Sequence, residues 1–509
     1  MDIDANADID TEPRPTWLER LRAIPRGVWG LALIMLAMAA PFLVRAWFLS
    51  QVPDIGDPFD VAAFCQSMAV SPEQDALTLY RNAGGLYAGE YSKRFSGELQ
   101  ADGQWGLAFQ VIDPTLTQGW GVAGDNVKDW VAAHEASLHE WKRATEMDRV
   151  GFDPSQNLLH RYGDPRLSMV SYLGSVASLR GRQCEAEHDF AGAFQWYRAR
   201  LRSRLRVPGW HALSPQEQEL NDLVRWAALP EVTSAQLRTA LSQLRRDRAS
   251  FRPASDFLKA EYVRAMNSFN DRDGLATTIR YRTGTQFSMD LRRAAFWRSA
   301  YWVVGEPERT RRIYRQLVAN QLREIDKPEP QRRPTYLVAT LMYLDNPAVP
   351  LPPGHLPVGR LDAAIKSSAI SNHLDTTAKP GAGLLQRWDH DWFLRESRGY
   401  WTLLELLLAL QAHHRDHGAF PSKLEDLVPN YIDAVPVDPC DAAALNVRYR
   451  LDISDHATVW SVGANGTDEN GFQNIITGDT VLVVRAPAVV SPPSSSSPEP
   501  SNSSEPSKD

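Results

Sequence analysis

Cysteine is scarce in this chain: Cys65, Cys184 and Cys440 are the only three in 509 residues, far apart and without CxxC or Cys/His metal spacing. At most one intramolecular disulfide forms and one thiol is left over, so no disulfide framework or cysteine-based zinc site organises the fold. A strong excess of charge is also missing. The net charge is −7 at pH 7, and although arginine is locally dense around 198–206 and 308–312, nothing resembles the basic footprint that nucleic-acid binding needs. No GxSxG elbow, P-loop or HExxH helix is present, so none of these motifs supplies a nucleophile, a phosphate cradle or a catalytic metal. There is one long apolar run and no second of comparable length. "WTLLELLLALQAHH" (401–414) is short, ends in charged residues and reads as a buried helix.

The composition that remains, 43% hydrophobic and 23% charged, is that of a globular chain long enough for two or three domains. Tryptophan is frequent at 16 residues, and its N–H needs a partner when buried, which suits helix packing edges.

The long apolar run is "GVWGLALIMLAMAAPFLV", 18 residues (27–44) with no charge, extended by "RAWFL" to Leu49. That length spans a hydrocarbon core as a helix, with Arg45 snorkelling at one end and Trp29 and Trp47 at interfacial positions. Arg14, Arg20, Arg22 and Arg26 precede it, and Asp54, Asp57 and Asp60 follow it. The positive-inside rule then predicts a cytoplasmic tail (1–26), a transmembrane helix (27–49) and export of the bulk of the chain to the periplasmic or extracellular side of the cell membrane. The rival is a cleaved signal peptide, against which stand the length of the run and the lack of an A-x-A site after it.

From about 60 to 375 the pattern is helical. "DFAGAFQWYRARLRSRLRV" repeats Ala193, Tyr197, Leu201 and Leu205 every four residues, with Asp189 as its cap. "RLSMVSYLGSVASLR" sets Leu167, Val170 and Leu173 on one face, so a helical hairpin is expected. Ser234 opens a helix carrying Leu237, Leu241 and Leu244, and "RTRRIYRQLVANQLREID" is another. Residues 82–127, Gly-rich and aromatic, read as loop. Pro-rich connectors (327–334, 346–359) interrupt the helices, and a Pro/Ser tail (487–509) reads as disordered. The hairpin resembles a tetratricopeptide-type pair, which implies a concave surface for partners. No self-similarity of about 34 residues accompanies it, and a non-repeat helical domain is the alternative.

The last module, 395–486, starts with a helix ending at Gly418, a C′ glycine. Ser422 caps a short turn carrying Leu424, Leu427 and Val428. "AVPVDP" reverses the chain, and "LNVRYRLDI" and "ATVWSVG" alternate as two strands, giving a small α+β unit. In order along this stretch stand Gly418, Phe420, Pro421, Leu424, Leu427, Tyr431, Pro436, Asp438, Pro439, Tyr449, Ser461, Gly463, Ala464 and Gly466. That series resembles the C-terminal part of the major pseudopilin of type II secretion, in the type IV pilin-like family. The resemblance covers about one sixth of the chain and departs from the family at its start: no prepilin-peptidase site stands before the apolar run, and the look-alike at Gly399, with Glu405 one position late, is displaced by several hundred residues. It implies a pilin-type fold at the end of a large anchored protein, a link to secretion or pilus-like machinery, and a calcium site in "ANGTDENG" at Asn465, Asp468 and Asn470, with Glu469 and Asp479 nearby. Asn465 stands where the family has an aspartate. The alternative for the loop is a solvated turn held by Asn and Gly chemistry.

Two further clusters carry candidate chemistry. His413 and His417 are spaced i, i+4 as in a two-histidine zinc site, for which a third ligand would have to come from Asp416 or His390; a solvated helix end is the plainer reading. Asp389, His390 and Asp391 sit between tryptophans as a conceivable acid/base group, or simply as a helix start. The sequence thus predicts a mainly α protein: transmembrane helix, helical and repeat-like exported domain, small pilin-like α+β domain. It reads as a non-enzymatic binding or assembly protein with other envelope proteins as partners. The alternative is a cell-envelope hydrolase whose site lies in segment 82–127.

Overall fold

In the computed structural model, the residues described are 16–17, 25–95, 105–155, 165–206, 217–250, 252–270, 305–327, 331, 354–357, 360–361, 363–364, 390–453, 456–463, 466–472 and 479–487. They form a mainly helical molecule with one apolar N-terminal helix and a small three-stranded antiparallel sheet.

The apolar run becomes α1 (Arg26–Ser50), a 25-residue helix with no buried residue and a mean hydropathy of 2.1 in its most apolar window. Its length and composition suffice to cross a membrane, and it is the only such helix among the described residues. Pro41 lies inside it.

The helices that follow are α2 (Val61–Ser67), α3 (Ala76–Phe95), α4 (Trp105–Gln118), α5 (Asp125–Ala133), α6 (Glu135–Glu146), α7 (Pro165–Ser168), α8 (Val170–Ala186), α9 (Phe190–Arg206), α10 (Glu217–Ala227), α11 (Ser234–Ala249), α12 (Ala254–Asn270) and α13 (Glu306–Leu322). Residues 82–95 and 105–118 are therefore helical, where the glycine content points to loop. Glycine serves packing there: a Cβ on Gly84 would lie 1.8 Å from the Arg166 carbonyl oxygen, so α3 and α7 approach through a missing side chain. The α8/α9 hairpin forms with the expected cap, the Gly192 amide donating to Asp189 at 2.8 Å. Its first helix runs on through Ala186, so most of the polar stretch "GRQCEAEH" (181–188), which reads in the sequence as the separator of the two helices, is helical. α11 opens at Ser234 as expected, and Thr233 before it caps the helix in a reciprocal capping box with Gln236.

The chain ends in α14 (His390–His417), a short 3₁₀ turn (Leu424–Leu427), and strands β1 (Arg448–Ile453), β2 (His456–Ser461) and β3 (Thr480–Arg485), in sheet order β1-β2-β3. Gly418 has φ 74°, the left-handed geometry of a C′ glycine, and its amide donates to the His414 carbonyl. Ser422 donates to Asp426 and does not cap the turn, which Lys423 precedes. β3 is not among the strands expected from sequence: "TVLVVR" is a brief apolar run without alternation, and it pairs with β2 across a long connection.

Among the described residues, three cores organise the body. One joins Tyr80, Tyr87, Trp141, Leu173 and Leu179. A second joins Val52, Tyr262, Ile313, Tyr314 and Leu317. The third runs from Phe194, Leu223, Trp226 and Leu237 through Leu403–Leu410 to Phe420, Val459 and Val484, so α14 and the sheet share one core with α9, α10 and α11. The reason lies in α14 itself. Leu403, Leu404, Leu406, Leu407, Leu408, Ala409 and Leu410 are each at most 1% exposed, so this stretch of the helix is enclosed between the sheet and α11, with Glu405 its one partly exposed residue.

Candidate functional site

Two regions bear on function: the junction between α1 and the body, and the loop over the outer face of the terminal sheet.

At the junction, α1 enters the body without a linker. Val52, two residues past the helix, is fully buried in the second core. Arg312 on α13 donates to the carbonyls of Leu49 (3.2 Å) and Val52 (3.4 Å), the acceptors that a helix end leaves over. The Arg309 guanidinium lies 5.1 Å from the Phe48 ring centroid. Arg315 pairs with Asp54 at 2.8 Å and Asp57 at 3.2 Å, and Tyr262 donates to Asp57. Burial works against the Asp54 carboxylate, but the Gly56 amide and Arg315 hold its pKa below the ordinary value. Of the three aspartates that follow the apolar run, Asp54 and Asp57 are therefore ion-pair partners of α13, and Asp60 caps α2 by accepting from the Ala63 amide.

In the terminal module, alternation places Tyr449, Val459, Leu482 and Val484 on the face toward α14, and Arg448, Trp460 and Thr458 on the outer face. Residues 466–472 cover that outer face: a Cβ on Gly471 would meet Trp460 and Thr458 at 3.5–3.8 Å. Asp468 accepts from Trp460 Nε1 (3.0 Å), from the Asn470 amide (2.9 Å) and from Arg448 Nε (3.2 Å). Burial opposes ionisation of Asp468, yet these donors bring its pKa below the ordinary value. Asp479, 2% exposed, accepts the amides of Glu469 and Gly471. Burial pushes its carboxyl up to about 6 against those two amides, and the Glu469 carboxylate beside it pushes the same way.

Below the loop sits Asp438, whose side chain is fully buried. It accepts from Ser461 Oγ (2.6 Å), the Cys440 amide (2.9 Å), the Val462 amide (2.9 Å) and Arg448 Nη1 (2.9 Å). The aspartate of "PVDP", read in the sequence as a turn signal, is thus the point where the turn, β1 and the end of β2 meet.

Of the expected calcium ligands, Asp468 and Asn470 are in this loop and Asn465 lies outside the described residues. Calcium takes six to eight oxygens at about 2.3–2.6 Å. The described donors do not fit that demand, because both Asp468 oxygens are engaged by protein N–H groups and the adjoining cation is Arg448. Among the described residues, no group of three or more His, Cys, Asp or Glu is placed to hold a metal ion.

His413 and His417 lie side by side with ring centroids 4.4 Å apart; His413 Nδ1 is 3.0 Å from the Ala419 carbonyl oxygen. The Asp416 carboxylate between them in sequence is held instead by Arg238 at 2.6 Å and by Tyr431 OH at 2.8 Å. Asp389 lies outside the described residues, and His390 begins α14. Segment 82–127 contributes an aromatic cluster: Tyr87 stacks near Tyr91 and Tyr172 at 6.1 Å each, and the buried His134 ring lies 4.6 Å from Tyr87 and 4.4 Å from Trp130. Burial drives the Tyr87 hydroxyl pKa upward, so it stays protonated.

Sequence reading misses a buried polar network between α8, α9 and α10. Arg182 pairs with Asp222 at 2.9 Å, and Arg200 pairs with Glu219 and Asp222 at 3.2 Å each. Arg182 also donates to the Leu116 carbonyl and to Tyr197 OH. The only signal in the sequence is an arginine-rich helix face, which reads equally well as solvated. No protein-family model, no curated protein and no solved structure matches this chain.

Proposed function

We propose that this chain is a single-pass, membrane-anchored, exported protein of the bacterial envelope that binds or assembles with other envelope proteins and catalyses no reaction. The observation that carries the reading is the junction: an apolar helix long enough to span a bilayer, flanked by arginines before and aspartates after, leads within two residues into the core of a helical body. In this reading the body is held against the outer membrane surface, and its helical faces are what partners meet.

The terminal module is, in this reading, a pilin-type fold reused as a built-in part. A long helix on a small antiparallel sheet, closed by the "PVDP" turn, supports the likeness. Its helix is covered on the far side by α11, with Glu405 paired to Arg248 at 2.9 Å and to Arg245 at 3.3 Å, which supports an internal role over stacking in a fibre. Fusions of an export-dependent reporter enzyme after residue 487, and of a cytoplasm-dependent fluorophore at the same place, test the topology. Activity of the first and darkness of the second are expected; the reverse pattern would overturn the reading. Crosslinking in intact membranes followed by mass spectrometry then identifies partners. Secretion or pilus components would link the protein to that machinery, and other envelope proteins captured without the terminal module would assign binding to the helical body.

A further inference from the structure

Three carboxylates, two from the 438–441 turn and one from the 466–471 loop, converge on one guanidinium. Arg448, at the start of β1, reaches Asp438 with Nη1 (2.9 Å), Asp441 with Nη2 and Asp468 with Nε (3.2 Å), and Nη1 also donates to the Asn446 carbonyl (3.2 Å). Its side chain is 16% exposed. The remaining carboxylate oxygen capacity goes to the amides of Cys440, Val462, Ala443 and Asn470, and to Ser461 and Trp460.

We propose that Arg448 is the built-in cation of this module: its guanidinium, in place of a divalent metal, ties the 438–441 turn and the 466–471 loop to the sheet, so that closure of the loop does not depend on calcium. A planar guanidinium suits the task because its donors are fixed in direction and serve several acceptors at once. An ammonium or a small ion would hold the charges without setting the orientation of three segments.

The test uses the full chain in detergent. Hydrogen–deuterium exchange of the 466–472 amides and the melting temperature are compared in millimolar calcium and in excess chelator. Both readouts are expected to be the same in the two conditions, because an ion without a site adds no binding free energy to the folded state. Protection or melting temperature that rises with calcium in the unaltered protein overturns the proposal. Arg448→Gln is expected to speed exchange of the loop amides about tenfold or more, with α1–α13 unchanged. Arg448→Lys, which keeps the charge and loses the fork, is expected to fall between the two. Exchange in Arg448→Gln equal to that of the parent also overturns the proposal. If Arg448→Gln does not fold, the calcium comparison on the parent and Arg448→Lys decide it.

Discussion

Arg312 donates to the backbone carbonyl of Leu49 at 3.2 Å, across 263 positions of sequence, and so joins the last turn of the apolar helix to a helix of the body. The contact ties the end of α1 to the body. Arg312→Ala removes this donor from the Val52 carbonyl and from the Leu49 carbonyl, which keeps the Val52 amide at 3.3 Å, and is expected to cost about 1–3 kcal/mol. Faster proteolytic cleavage between 50 and 60 checks it, and cleavage at the parent rate would refute the coupling.

The buried Asp438 holds one cation and three further donors. Asp438→Ala takes one of three carboxylates from Arg448 and leaves the buried Cys440 and Val462 amides and the Ser461 hydroxyl without this acceptor, and a buried donor left unsatisfied costs about 1–3 kcal/mol. A lowered denaturation midpoint of that size is the expected result.

Asp479 gives the terminal module a pH dependence of definite sign. Its folded pKa is raised from the ordinary 3.8 to about 6. Its contribution to stability is therefore fully present below the unfolded value and is lost as pH rises through about 6. Asp479→Asn keeps an acceptor for the loop amides without the titration. The variant is expected to gain on the parent by about 1–3 kcal/mol in going from pH 4 to pH 7, since each tenfold difference in proton affinity between the folded and unfolded chains is worth about 1.4 kcal/mol. Parallel stability curves for the two proteins over that range would remove Asp479 as the source. Asp468 and Asp441, whose pKa values are lowered, act in the opposite sense: their stabilisation is present above the ordinary aspartate range and fades in acid.

Two helical glycines are expected to respond oppositely to alanine. A Cβ on Gly181 would lie 2.3 Å from the Tyr197 ring, so Gly181→Ala overpacks the α8/α9 contact and costs about 1–3 kcal/mol. Gly89 on α3 is exposed and has nothing within 4 Å of that position, so Gly89→Ala is expected to stabilise by about 0.4–1 kcal/mol. Thermal melts of the two variants give the comparison directly.

Leu407 is fully buried between α11 and the sheet. Leu407→Ala is expected to cost about 2–5 kcal/mol and to loosen α11 and the sheet together. Hydrogen exchange that rises in the sheet and leaves α11 protected would show two separable units instead.

Short-range physics determined much of this protein in the sequence itself. The apolar run sets α1, because an uninterrupted helix satisfies its own backbone in an apolar medium. Gly418 stops α14 because the left-handed conformation there has no Cβ penalty. β1 and β2 are legible in their alternation, and the α8/α9 hairpin in its four-residue spacing and Asp189 cap. Segment 82–95 is misread from sequence because local propensity counts glycine against a helix, whereas Gly84 is where another backbone comes close. β3 escapes notice because its partner lies across a long connection. The tertiary structure alone decided that α14 is buried on two sides, that Asp54 and Asp57 meet Arg315, and that Arg448 gathers three aspartates. Each depends on which distant segments share a core, and neither periodicity nor capping records a contact between residues that are far apart in the chain.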